Sequence, residues 1–300
     1  MKTDFYAEIA KNKANTYLLL FFFSAFIIFL GWLYSAIMGG SAIIAMIVAF
    51  IIAIVMILIN YYTGDKTVLA ISHAKPVTKK DDPFLINTVE GLSIAAGIPM
   101  PKVYIIEETS INAFATGRDP EHASIAVTTG ARKRLNRTEL EGVIAHEMSH
   151  VKNYDIRYMM LVAVLVGVIV LFSDFMLRMF LFGGGRRDSR GGAAGLFLII
   201  LALVLAILAP IFAQMIRMAI SRKREFLADA TGAQLTRYPP GLAGALKKIR
   251  DDHDKVVDTA NKATAHLYIE NPLRNAKGFM NSLFSTHPDV NERIKRLESM

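Results

Sequence analysis

The sequence contains no cysteine. Disulfide scaffolds, thiolate zinc sites and cysteine nucleophiles are therefore excluded, and any catalytic metal must be held by His, Asp or Glu. Charge is missing over long stretches, and residues 14–64 carry none at all. No RNA- or DNA-binding motif accompanies the formal net charge of +8. In so apolar a chain a basic excess is more often a topology signal than a nucleic-acid footprint, so nucleic acid is not an expected partner. What is abundant is apolar side chain: 53% of 300 residues are hydrophobic, with a mean hydropathy of +0.37. That is too apolar for an ordinary soluble globule, and a membrane protein is the expectation.

The uncharged run 14–64 is broken near its middle only by Gly39, Gly40 and Ser41, which predicts a hairpin of two helical spans. Each arm, about Tyr17 to Met38 and Ala42 to Tyr61, is close to the roughly 20 residues needed to cross a bilayer core. A cleaved signal peptide is not expected, because the first run is too long and a second follows at once. A third apolar stretch starts at Tyr158 and is interrupted by Asp174 and Arg178, four apart; a short span and a re-entrant segment are both allowed. A fourth, 193–216, is long enough to cross, with a kink at Pro210, after a flexible linker 183–192 rich in Gly and Arg. About four transmembrane helices result.

The polar pieces 65–157 and 217–300 must form the soluble part. In the first, 102–107 and 123–128 have the β-branched character of strands, and 82–96 followed by Gly97 reads as a helix with a glycine stop. The second is mostly helical in pattern. The organisation expected is an N-terminal transmembrane hairpin (1–64), a first catalytic part (65–157), a second transmembrane pair (158–216) and a second catalytic part (217–300). Lys and Arg crowd the side of the N-terminus and the soluble pieces, Lys11, Lys13, Lys66, Lys79, Lys80, Arg222, Lys223 and Arg224 among them; Arg186, Arg187 and Arg190 lie opposite. The positive-inside rule places the soluble pieces in the cytoplasm.

The segment 138–154 reads TELEGVIAHEMSHVKNY. Thr138 and Glu141 have the spacing of a capping box, and Leu140, Val143, Ile144 and Met148 recur at helical intervals. His146, Glu147 and His150 therefore lie on a helix. Positions four apart are rotated by only ~40°, so both imidazoles reach one tetrahedral ion. Glu147 then projects beside the metal, where it can take a proton from water. This is the His-Glu-x-x-His pattern of zinc hydrolases. A further candidate ligand lies in 221–229, SRKREFLAD. On a helix, Glu225 and Asp229 sit one turn apart on one face. Glu225 completes a His-His-Glu site for one Zn2+, and Asp229 accepts the ring N–H of a ligand His and fixes its tautomer.

HEMSH, SRKREFLAD, NAFATG at 112–117 and STHPDVNERI at 285–294 together resemble the HtpX-type membrane-bound zinc metalloproteases, heat-shock proteases of the gluzincin clan related to the Ste24 CAAX proteases. Where that family often has a second Pro after the His-Pro, this chain has Asp289. The resemblance covers nearly the whole chain. It implies an α+β zincin-like protease domain joined to membrane helices, on the cytoplasmic face of the cell (inner or plasma) membrane, that degrades unfolded or damaged membrane proteins in stress response and protein quality control. It also places Asn112, Ala113 and Phe114 at the edge of the active-site sheet, where an extended substrate can add as a strand. His287 becomes a candidate donor to the tetrahedral oxyanion, with a packing role as its alternative. His73, His122, His253 and His266 are assigned no function.

Rival readings exist. A transporter or receptor would use Asp174 and Arg178, but four spans are few and no paired halves are visible. A scaffold without activity would keep the metal and cleave nothing. A di-iron bundle would need paired Glu-x-x-His units, and the sequence has one His-Glu-x-x-His.

Overall fold

The structure is a computed structural model that describes residues 5–166, 200–201, 203–204, 222–252, 267–269 and 288–300. Asp174, Arg178, the linker 183–192, most of 193–216, His253, His266 and His287 lie outside these residues.

Helix α1 (Phe5–Met38) and helix α2 (Ala42–Ile71) form an antiparallel hairpin. The turn uses Gly39 and Gly40 at φ 85° and 108°, a region open to glycine without steric cost. Ser41 then caps α2 by accepting from the Ile44 N–H. Segments Ala14–Ala36 and Ala42–Ile71 are long and apolar enough to cross a membrane. Their outer faces are apolar and exposed, as at Tyr17, Phe21, Ile43 and Ile44, which suits lipid rather than water. α2 is longer than the sequence pattern predicts. It continues past Tyr61, so that buried Gly64, Val68 and Leu69 carry one rigid rod from the apolar segment into the soluble domain.

The soluble domain is built on a four-stranded sheet: β1 (Lys75–Pro76), β2 (Lys102–Ile106), β3 (Ala113–Gly117) and β4 (Ala123–Thr128), in the order β1-β2-β4-β3. β2 runs parallel to β4, and β3 pairs antiparallel with β4, Ala113 opposite Val127 and Ala115 opposite Ile125. β3 and β4 are buried along their whole length. Phe114, Ala126 and Ile106 pack with Phe23, Val68 and Tyr158 on the side of α1 and α2. Ala113, Ala115, Ile125 and Val127 pack with Leu85, Leu140, Ile144 and Met148 on the other side. A sheet covered on both faces reads as continuously apolar rather than alternating.

Helix α3 (Pro83–Ala96) starts where Asp82 accepts from the Leu85 N–H and ends at left-handed Gly97, as its sequence predicts. A short α4 (Thr129–Arg134) leads into α5 (Arg137–Lys152). Asn136, not Thr138, caps α5: its Oδ1 accepts from the Glu139 N–H at 2.9 Å while Glu139 Oε2 accepts from the Asn136 N–H at 2.8 Å. The motif spacing is that of a capping box, but it begins two residues earlier, because Asn is as good an N-cap as Thr and brings its own partner three residues on. α6 (Asp155–Leu161) follows and continues as a π-helical turn, Val162–Val166. Helices α7 (Arg222–Thr236), α8 (Pro239–Asp251) and α9 (Val290–Glu298) come after it in the chain. Asp289 caps α9, accepting from the Asn291 N–H at 2.8 Å, a task that proline could not perform.

Candidate metal centre

α5 is buried from Gly142 to Val151, and α7 crosses it closely. The crossing relies on Gly232, where an added Cβ would sit 3.0 Å from the His146 nitrogen and 3.2 Å from the Ala145 carbonyl carbon. Closeness at that point brings Glu225, two turns earlier on α7, against the histidines of α5.

His146 Nε2 and His150 Nε2 lie 3.2 Å apart. The Glu225 carboxylate is 3.6 Å from each of them. All three side chains are buried. The other ring nitrogen of each imidazole faces a carboxylate: His146 Nδ1 is 2.9 Å from Asp229 Oδ1, and His150 Nδ1 is 2.9 Å from Asp155 Oδ2. An ionised carboxylate only accepts, so each Nδ1 carries the proton and each Nε2 presents a lone pair toward the other and toward Glu225. Two lone pairs and a carboxylate facing one another in a dry pocket repel unless a cation lies among them. A tetrahedral ion with ligand bonds of about 2.0–2.1 Å separates its donors by about 3.3–3.4 Å, and 3.2 and 3.6 Å bracket that edge. The donor set fits a zinc-type metal.

The electrostatics agree. Burial opposes a charge on His146, yet the hydrogen bonds to Asp229 and Glu225 outweigh it and hold the imidazole at about 9. Burial likewise opposes the charge on Asp229, but the Arg293 guanidinium beside it and the His146 hydrogen bond bring it down to about 2. A site with such an appetite for positive charge takes up a proton when no metal competes. Glu147, adjacent to His146 and equally buried, is shifted upward by that burial, against the pull of both imidazoles and of the Ala115 N–H that hydrogen-bonds to it. A raised carboxyl suits proton transfer near neutral pH.

Two arginines back the carboxylates. Arg293 of α9, wholly buried, donates to Asp229 twice, Nε at 2.9 Å and Nη2 at 2.7 Å. Its Nη1 donates to the Ile269 carbonyl at 3.1 Å. Arg224, next to Glu225, pairs through Nε with Asp155 Oδ1 at 2.8 Å. Asp155 is placed by a sharp reversal after α5: Tyr154 takes a left-handed φ of 60°, which turns α6 back under His150. Sequence reasoning singled out neither Asp155, Arg224 nor Arg293. A signal for Arg293 was there, since Val290, Arg293, Ile294 and Leu297 form the buried stripe of α9, and an arginine on an apolar stripe needs a buried partner.

β3 lies at the edge of the sheet, with Asn112, Ala113 and Phe114 beside the centre. Three of its groups facing away from β4 are engaged. The Ala113 N–H meets Asn112 Oδ1 at 3.1 Å, the Ala113 carbonyl accepts from the Ile269 N–H at 3.0 Å, and the Ala115 N–H serves Glu147. The Tyr268 ring packs edge-on against Phe114 at 5.0 Å. A second group of possible ligands, Asp119, Glu121 and His122, is exposed or half-exposed, and Asp119 there accepts from the His122 ring.

Comparison with known proteins identifies the family. The chain is 45% identical over 299 residues to a protease HtpX homolog of Dictyoglomus turgidum, covering 99% of this chain and 95% of that one. It is 44% identical over 295 residues to one from Tropheryma whipplei, covering 98% of each, and 43% identical over 304 residues to one from Listeria monocytogenes, covering 98% and 99%. The crystal structure of S. mikatae Ste24p shares the fold at a TM-score of 0.51 and 17% identity; the match covers 97% of this chain and 66% of that one. The model of peptidase family M48 matches residues 79–300, the stretch that holds both histidines, Glu225 and Asp229, and the chain belongs to that family of metalloproteases.

Proposed function

We propose that the chain is a membrane-bound zinc endopeptidase that hydrolyses peptide bonds of misfolded or damaged membrane proteins. The observation that carries the reading is the convergence of His146 and His150 from α5 with Glu225 from α7, beside Glu147. His146, His150 and Glu225 hold one Zn2+, which when bound supplies Lewis acidity toward a peptide carbonyl and toward water. Asp229 and Asp155 keep the two imidazoles in the Nδ1–H tautomer. Glu147 takes the proton of the attacking water and delivers it to the leaving amine. Asn112, Ala113 and Phe114 line the path of an extended substrate, which exchanges for the present partners of β3 on binding. His287 donates to the oxyanion.

The two apolar helices and the HtpX relatives support a membrane location. The Lys and Arg bias supports a multi-pass topology with segments 65–157 and 217–300 in the cytoplasm, carried by spans in 1–64 and 158–216.

Digestion of a denatured protein such as casein, by the purified chain beside its Glu147→Gln variant, tests the reading. The variant keeps its zinc and loses a factor of about 10²–10⁴ in rate, because the amide can hold a water yet cannot carry its proton. Undiminished proteolysis by Glu147→Gln would refute the assignment.

A further inference from the structure

We propose that Arg118 and Arg157, framed by Tyr61, Tyr62 and Tyr154, bind the phosphate of an anionic phospholipid headgroup where α2 leaves the bilayer. From Ala42 to Tyr61 the helix rises about 28 Å, close to the roughly 30 Å of a hydrocarbon core. With Ala42 at one boundary, Tyr61 and Tyr62 fall at the other, the level at which tyrosines anchor proteins among headgroups. Asp65 and Lys66 begin the charged sequence just beyond.

Two guanidinium groups from the soluble domain meet α2 at that level. Arg118, at the end of β3, lies over the Tyr62 ring at 5.3 Å. Arg157, on α6, lies over Tyr61 at 5.9 Å and over Tyr154 at 5.3 Å. Its Nε–H donates to the Arg118 carbonyl, which ties the two arginines into one cluster. Among the described residues their charge is poorly matched. Asp119, at 3.6 Å from Arg118 Nε, also accepts from the backbone N–H and ring of His122. Among the described residues Arg157 has no carboxylate within ion-pair reach. A half-buried guanidinium held in place by rings at the headgroup level is matched by a phosphate rather than by water. Tyr62 is 57% exposed, so the cluster opens outward along α2 and leaves room for a headgroup whose acyl chains run down the helix. The inference rests on α2 crossing the bilayer and is independent of the zinc chemistry.

The test reconstitutes the full chain in vesicles of equal parts phosphatidylglycerol and phosphatidylcholine, extracts it in neutral detergent, and counts co-purified lipids by mass spectrometry. The wild type retains phosphatidylglycerol in excess. Arg118→Gln and Arg157→Gln each cut that excess about fivefold, the factor that corresponds to about 1 kcal/mol per arginine at a membrane surface. Arg157→Lys, which keeps charge but not the planar fork, lies between. Should the glutamine variants fail to fold, the wild type still decides, since molar salt must lower the phosphatidylglycerol excess and leave phosphatidylcholine unchanged. Equal retention of the two lipids, an excess indifferent to salt and to both substitutions, or displacement by millimolar inorganic phosphate would overturn the proposal, the last assigning the cluster to a free anion.

Discussion

Replacing Asp229 with Asn changes no shape, yet removes the charge that answers a wholly buried guanidinium. Asp229 meets Arg293 at 2.7 and 2.9 Å, and Glu225 is the next carboxylate at 3.8 Å. At an effective dielectric of about 20, unit charges about 3 Å apart attract by about 5–6 kcal/mol. Glu225 makes up part of the loss, so the expected cost is the ~3–5 kcal/mol typical of breaking one side of a buried pair. For a domain of this size that lowers the thermal midpoint by about 10 °C. The assay is thermal unfolding in detergent with a chelator present, so that loss of metal does not enter the comparison. The second arm is Asp229→Asn with Arg293→Met, which removes the stranded cation and should recover most of the lost stability, less about 1 kcal/mol for the hydrogen bond to the Ile269 carbonyl. A single variant as stable as the wild type, or a double variant no better than the single, would refute the reasoning.

Three further outcomes follow from the same geometry. Asp155→Asn leaves His150 without the carboxylate that orients it and should weaken zinc binding by about 10–100-fold in competition with a chromophoric chelator, whereas unchanged affinity would leave the Arg224–Asp155 pair a purely structural contact. Gly232→Ala pushes a methyl onto the His146 backbone and forces α7 away by a few tenths of an ångström, so hydrolysis should fall severalfold while the thermal midpoint drops by only a few degrees; full activity would mean that the crossing has slack. Burial raises Asp82, but the hydrogen bonds from Arg132 and from the Leu85 and Phe84 backbone N–H groups, with the Arg132 charge, together outweigh it and hold the carboxyl below its ordinary value. Its contribution, under about 1 kcal/mol, is present above pH about 4 and is lost as the pH falls through the lowered folded value. The wild type should therefore exceed Asp82→Asn in thermal midpoint at pH 7, with the margin shrinking as the pH is taken progressively below about 4.

Local signals made much of this legible. Asp82 and Gly97 bracket α3, and the β-branched run 123–128 is β4, since both depend on neighbours in the chain. The ligand spacing on α5 is equally local, being a property of one helix. The end of α2 was not readable, because Asp65 and Lys66 mark where the uncharged run stops and not where the helix does. β3, with the sequence AFATG, has little strand propensity of its own and forms because both of its faces are covered. The partners of His146 and His150 divide along the same line. Asp229 follows Glu225 by one turn and was visible, whereas Asp155 depends on the left-handed Tyr154 and Arg293 on the docking of α9, neither of which a spacing rule encodes.

The central claim is that one ion is shared by side chains from α5 and α7. X-ray absorption at the zinc edge, combined with elemental analysis of the purified chain, tests it most directly. One zinc per chain is predicted, with two imidazole nitrogens and carboxylate or water oxygen in its first shell, and Glu225→Ala should lose most of it. A chain that binds no zinc at saturating metal, or one whose zinc and coordination shell survive Glu225→Ala unchanged, would contradict the account.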